Sequence, residues 1–201
     1  MGPSALTLQA IGFRTLALLI IVGVQGGVVA AAAALLGDKG PGYDGRLSVA
    51  PSRHLDLAGA VSTILFGLGW GKPVAVDARQ FRIGRAGIVL VVLAGFVGLL
   101  ALAFVFNALA RPALTALPLT AGLATAAFLR AASGMAIWFA LLGLVPVPPL
   151  TGGLILDALG VRISRQMRWI LVAALFLAVA TGWARRLLGP AHAVLAFVFG
   201  A

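Results

Sequence analysis

The sequence contains no cysteine and no glutamate, and its charge is sparse. Without cysteine there is no disulfide, no thiolate metal site and no thiol nucleophile. Without glutamate no glutamate base can act, and an H-E-x-x-H zinc helix cannot be present. Charged residues make up 10% of the 201 and apolar ones 62%, against about 25% and about 45–50% in a soluble domain. An ordinary cytosolic globule is thereby excluded, and so is a disordered chain, which would be rich in charge and poor in apolar residues. The class that remains is an integral membrane protein with several spans.

What charge there is has mostly one sign. Thirteen Arg and two Lys face five Asp, giving a formal net charge of +10. The basic residues stand in small groups between apolar runs, as arginines flanking membrane spans do. No basic domain stands outside those runs, so the expected surroundings are a lipid bilayer and not nucleic acid.

The first apolar run, Thr15 to Leu36, has Gln25 as its only strongly polar member. At about 1.5 Å per residue it can cross a bilayer core. It is long for the apolar region of a signal peptide behind Arg14, and no polar mature domain follows, so it is read as a span. Gly23 and Gly27 form a small-xxx-small pair, which suits either close packing on another helix or a smooth helix with no specific partner. Gly37 to Asp56 is a polar loop rich in turn residues, and Arg46 to Val49 in it has the makings of a short strand. Leu57 to Trp70 is apolar but short, which leaves a tilted span and a re-entrant segment both open. Gly71 to Arg85 is a second loop, with Pro73 to Val76 as a second strand-like piece.

Ala86 to Ala110 is the clearest span, closed by Arg111 and Pro112. Leu114 to Leu150 is interrupted by Pro118, Arg130 and the prolines Pro146, Pro148 and Pro149. Arg130 is expected at a helix end or snorkelling to an interface, with a helix from Ala131 to Val145 and a peripheral one before it. Gly152 to Gly160 leads into Arg162, Arg165 and Arg168. Trp169 to Trp183 carries an interfacial Trp at each end, and Ala191 to Ala201 is the last apolar piece. The expected fold is an all-α integral membrane protein: one polytopic helical bundle over residues 1–201, with four to six membrane segments and short strand-like loops. If Leu57 to Trp70 is re-entrant, the loops on both sides of it share a face. Its seven basic residues would place that face in the cytoplasm.

Four pieces, in order, resemble the site-2 protease family, the intramembrane zinc metalloproteases. GRLSVAPSRHLDLAG is similar to that family's G-R-L-T-x-N-P-x-x-H-x-D-P-x-G, and GWGKPVAVDARQFR to its G-W-A-K-P-V-P-V-N-x-x-x-F-R. LAGFVGLL stands where the family has L-A-G-P-x-x-N-L, and LLGLVPVPPLTGGLILDAL where it has F-N-L-L-P-I-P-P-L-D-G-G-x-I-L-x-A-L. The family-like core covers about residues 15–160, with further membrane segments over 169–201. The resemblance implies three helices around a cleft that admits a substrate helix.

Carried over position by position, the catalytic parts are missing. The family's H-E-x-x-H helix ends in Leu-Gly-Asp, here Leu36-Gly37-Asp38. Counting back puts its first His on Gln25, its Glu on Gly26 and its second His on Val29. The Asp ligand falls on Thr151, and two further Asn positions fall on Leu99 and Gly143. Zinc needs two imidazoles a helical turn apart and a Glu to take a proton from bound water. Gln25 can hydrogen-bond, but Gly26 and Val29 bind neither metal nor proton. Asp157, His54 and His192 do not make up a three-ligand set by their placement in the sequence, so no zinc or other cofactor is expected. The motif frame is retained at Arg46, His54, Asp56, Lys72, Pro73, Pro146, Pro148, Pro149, Gly152 and Gly153, where His54 and Asp56 are expected to order the loop. Ser133 is expected as a helix-packing hydroxyl, and His192 as an interfacial residue.

The function these residues suggest is a non-catalytic, site-2-protease-like membrane protein. It would bind other integral membrane proteins as an accessory, assembly or regulatory subunit, with Gly23, Gly27, Gly95 and Gly98 as a helix-packing face. The alternative is an active intramembrane metallopeptidase, or another hydrolase, with an atypical site using His54 or Asp56. A channel, carrier or lipid-handling protein ranks last, because Arg130 is the only charge within an apolar tract. The preference for Arg over Lys and the Ala, Gly, Val and Leu richness suit a bacterial cytoplasmic membrane.

Overall fold

The computed structural model describes residues 7–161 and 163–200; Arg162 and Ala201 lie outside them. Its first helix, α1 (Leu8–Leu36), starts before the apolar run because the Thr7 hydroxyl caps it, accepting from the Ala10 amide at 3.1 Å. It ends at Gly37, whose φ of 120° only glycine adopts readily. Two single-turn helices follow, α2 (Gly40–Tyr43) and α3 (Pro51–His54), each opened by a proline near its first position.

Next comes α4 (Leu57–Phe66), capped by Asp56, whose Oδ1 accepts from the Gly59 amide at 2.8 Å. At about 1.5 Å per residue this helix is too short to cross a bilayer. The chain turns at Gly67 and comes back, so that the Lys72 amide donates to the His54 carbonyl at 2.7 Å. The segment therefore enters and leaves at one place, and the loops on either side share a face: Leu57 to Trp70 is a re-entrant hairpin. Its tip is held by two arginines from distant helices. Arg14 of α1 donates to the Ile64 and Leu65 carbonyls at 2.7 and 2.9 Å, and Arg185 donates to that of Phe66. A helix end among apolar helices needs such donors, because its last carbonyls have no partner of their own.

The long hairpin of α5 (Gly87–Ala116) and α6 (Leu119–Leu144) builds the bulk of the bundle. Two expected interruptions do not occur. Arg111 and Pro112 lie inside α5 rather than closing it, as prolines in membrane helices can. Arg130 lies within α6, which is one continuous helix and not a peripheral piece followed by Ala131 to Val145. The residues around Arg130 are good helix formers, and its exposed side chain leaves the backbone ladder intact. Ser133 is fully buried and donates to the Ala103 carbonyl of α5 at 2.8 Å, tying the two helices together. Leu18, Ile21, Leu99, Ile137 and Phe139 fill the centre between α1, α5 and α6.

After the proline turn comes the short α7 (Leu154–Ala158), then α8 (Arg165–Ala180) and α9 (Trp183–Phe199), bent by 68° relative to each other. α9 lies on α6, where His192 stacks on Trp138 at 4.1 Å, and the Asn107 side chain of α5 bonds the Phe199 carbonyl at 2.8 Å. Among the described residues three helices are long and apolar enough to span a membrane, or four if the bent pair counts as one. Large apolar side chains stand exposed along them, including Val89, Leu93, Val97 and Phe104 of α5, as suits contact with lipid. The chain is a polytopic helical membrane protein.

Among the described residues there is no strand. Arg46 to Val49 and Pro73 to Val76 are irregular segments that pair with nothing in a ladder. The first is pressed on α1, its Ser48 and Val49 carbonyls lying on Gly27 and Gly23. The second begins at a proline, which has no amide to donate.

Candidate functional site

The positions singled out in the sequence meet at one small cavity of about 20 Å³, room for about one water. Gln25, Gly26 and Val29 reach it from α1, His54 from α3, Gly143 from α6 and Thr151 from the turn before α7. Gln25 Nε2 donates to Thr151 Oγ1 at 3.3 Å. Those are the positions that the resemblance assigns to the first His and the Asp ligand, so a hydrogen bond between neutral groups joins two places meant for a metal. Gly143 lies against the same amide: a Cβ there would come 3.1 Å from Gln25 Nε2. Val29 and Thr151 both border Gly95 of α5, which keeps positions 25, 29 and 151 together. Leu99 is buried in the central cluster.

The place assigned to the Glu is filled from another element. The His54 ring lies flat against Gly26, so closely that any Cβ on residue 26 would overlap Nδ1. His54 is 1% exposed, and its Nε2 bonds the Ser48 carbonyl at 2.7 Å. A carbonyl only accepts, so Nε2 carries the hydrogen and Nδ1 is left as a bare acceptor. That atom is buried without a partner, as is the indole N–H of Trp70, another residue lining the cavity. Burial pushes the imidazole below its ordinary pKa; the Ser48 bond opposes this, and the Arg46 guanidinium adds to it. His54 is therefore neutral at pH 7.

Zinc does not fit this set. A catalytic zinc takes three protein ligands plus a water. Here Gly26 and Val29 offer no donor atom, and Gln25 and Thr151 are already bonded to each other. Among the described residues no three His, Cys, Asp or Glu side chains gather anywhere. Asp157 is exposed and faces a different crevice, while His192 is on α9 against α6. Asp56 is spent on capping α4.

The frame around the cavity is more polar than the cavity. Asp38 is 1% exposed and accepts from the Gly40 and Asp77 amides, both at 2.8 Å, which ties the two polar loops to the end of α1. Its importance was legible only as the last residue of Leu-Gly-Asp. Arg46 is half-buried, its guanidinium held below its ordinary pKa by burial, with Asp44 opposing and Arg53 adding. Pro146, Pro148 and Pro149 shape the turn that carries Thr151. A Cβ on Gly152 would stand 2.7 Å from the Leu144 carbonyl, and one on Gly153 would stand 2.8 Å from Pro148 N. Lys72 and Pro73 line the cavity on the returning limb of the hairpin. Gly95 and Gly98 pack on Val29 and Val28 of α1, and Gly23 and Gly27 on the 48–49 loop. All four glycines are thus covered within the chain. Arg14, Arg185 and Asn107 carry tertiary bonds that nothing in their sequence surroundings signals.

Among curated proteins, the chain is similar to "Putative zinc metalloprotease YwhC" of Bacillus subtilis (strain 168), 34% identical over 132 residues. The similar stretch covers 63% of this chain and 60% of that protein, so the chain spans about three fifths of its relative's length. No family model matches the chain, and no solved structure does.

Proposed function

We propose that this chain is a non-catalytic member of the metalloprotease-like membrane proteins, one that holds other integral membrane proteins without cutting them. The observation that carries this reading is the closure of the cleft on itself: Gln25 bonds Thr151, and His54 occupies the space beside Gly26. A cleft of this build has lost both the metal ligands and the room for a scissile peptide, yet it keeps the frame that shapes the bundle. The glycine face is used up internally, so a partner helix meets the outer surface instead, where Val89, Leu93, Val97 and Phe104 form a stripe on α5. Packing of that kind drives helix association in lipid. The role is that of an accessory, assembly or regulatory subunit.

The test is purification from native membranes in mild detergent, followed by zinc analysis and a cleavage assay on a transmembrane substrate. The expected result is no stoichiometric zinc, no chelator-sensitive cleavage and a membrane protein co-purifying at fixed ratio. Chelator-sensitive cleavage would overturn the reading.

A second reading, a hydrolase with an atypical site, is favoured by one observation: the bare Nδ1 of buried His54 beside Gln25 and Thr151. It requires that His54→Ala abolish an activity while the fold survives. The setting we propose is a bacterial cytoplasmic membrane with the two polar loops inside, as their seven basic residues favour. The absence of cysteine makes single-cysteine labelling from either side a clean test of that orientation.

A further inference from the structure

Beside the closed cleft, and sharing Lys72, Val74, Leu150 and Leu154 with its lining, a crevice of about 770 Å³ opens between the start of α4, residues 72–76, residues 148–154 and the first turns of α8. That is the size of a small-molecule site, yet its lining is that of an amphiphile's. Val74, Leu150, Leu154 and Val172 give it an apolar floor. Three cations line it as well, Lys72, Arg165 and Arg168, all exposed. None of the three has an ion pair or a side-chain hydrogen bond among the described residues. Two carboxylates share the lining, Asp56 and Asp157. Asp56 is committed to the Gly59 amide, and neither forms an ion pair with a cation of the crevice among the described residues. Arg165 and Arg168 lie one turn apart at the head of α8, next to Trp169, which also lines the crevice and is 66% exposed. An exposed Trp beside arginines at a helix end marks a membrane–water boundary.

We propose that this crevice binds one anionic phospholipid. Its phosphate would lie among Lys72, Arg165 and Arg168, where guanidinium groups can bond two phosphate oxygens at once. An acyl chain would lie along Val74, Leu154 and Val172. Basic crevices between membrane helices recognise anionic headgroups in this way. The site stands whether or not the neighbouring cleft is catalytic, because it uses none of Gln25, Gly26, Val29, His54 or Thr151.

The full chain, purified in mild detergent with equal amounts of phosphatidylglycerol and phosphatidylcholine, is examined by native mass spectrometry for retained lipid. One phosphatidylglycerol per chain is expected in preference to phosphatidylcholine, the preference falling about fivefold for each cation removed and vanishing in Lys72→Ala/Arg165→Ala/Arg168→Ala. Arg130→Ala, an exposed cation on α6, should leave it unchanged. Equal retention of both lipids would overturn the proposal, as would a preference that survives the triple substitution or one that Arg130→Ala also removes. Displacement of the lipid by millimolar inorganic phosphate would make this a site for a free anion, and would overturn it too.

Discussion

The cleft and the frame around it have fared differently. In the cleft, the positions that the family resemblance assigns to metal or proton chemistry hold neutral or apolar side chains: Gln25, Gly26, Val29 and Thr151. In the frame, three polar side chains each have a structural task. Asp38 joins two loops to α1, Asp56 starts α4, and His54 bonds the 48–49 loop. The difference teaches that the frame is held by its own hydrogen bonds, which owe nothing to the side chains of the cleft. A buried carboxylate that accepts two amides is costly to remove whatever the cleft does. A side chain facing a cavity has no such second duty.

The sharpest way to break the comparison is to build metal ligands into the cleft. Gln25→His/Val29→His/Thr151→Asp, with His54→Ala to open the space, places three donors where the frame still converges. It should bind one zinc per chain by elemental analysis, against none for the starting protein; failure to bind any would mean the three positions do not meet as described. The next effect tests the frame. Asp38→Ala strands two amides and should cost about 3–5 kcal/mol, read as a fall in thermal stability in detergent, with loops 37–56 and 71–85 opened to protease. A fall under about 1 kcal/mol would show the frame to be as dispensable as the cleft.

Smaller again is the fit between His54 and Gly26. Gly26→Ala should destabilise by about 1–3 kcal/mol through overpacking, and the cost should largely disappear in a His54→Ala background. Additive costs in that double-mutant cycle would dissolve the pair. The mildest effect is on pH dependence. Burial lowers the His54 pKa in the folded state, so below about pH 6.5 the unfolded chain binds a proton that the folded one refuses. Stability should then be flat above about pH 7 and decline towards pH 5, by at most about 1.4 kcal/mol per pH unit. The His54→Asn variant should decline less steeply. An unchanged slope would place the titration elsewhere.

Much of this was readable in advance. The spans could be found from apolar run length, and the positions that meet at the cavity from the motifs. What could not be read was where helices stop and what covers them. Pro112 and Arg130 look like breaks, but neither interrupts its helix. The re-entrant course of Leu57 to Trp70 depends on a bond between His54 and Lys72 that run length cannot reveal. Gly23 and Gly27 look like a docking face for another helix, and a loop of the same chain covers them. Arg14 and Arg185, 171 positions apart in the sequence, meet on one helix end, a pairing invisible to any local pattern.

By itself, then, the sequence determined that this chain is helical and lives in a membrane, because so many apolar residues with so little charge can be solvated nowhere else. It also determined that glutamate- or thiolate-based chemistry is absent, because the side chains are. Only the tertiary structure decided that Gln25 and Thr151 bond each other, and that His54 supplies the bulk Gly26 lacks. It alone decided that Lys72, Arg165 and Arg168 share one crevice. Those facts depend on distances between residues far apart in the chain, which packing sets and composition does not.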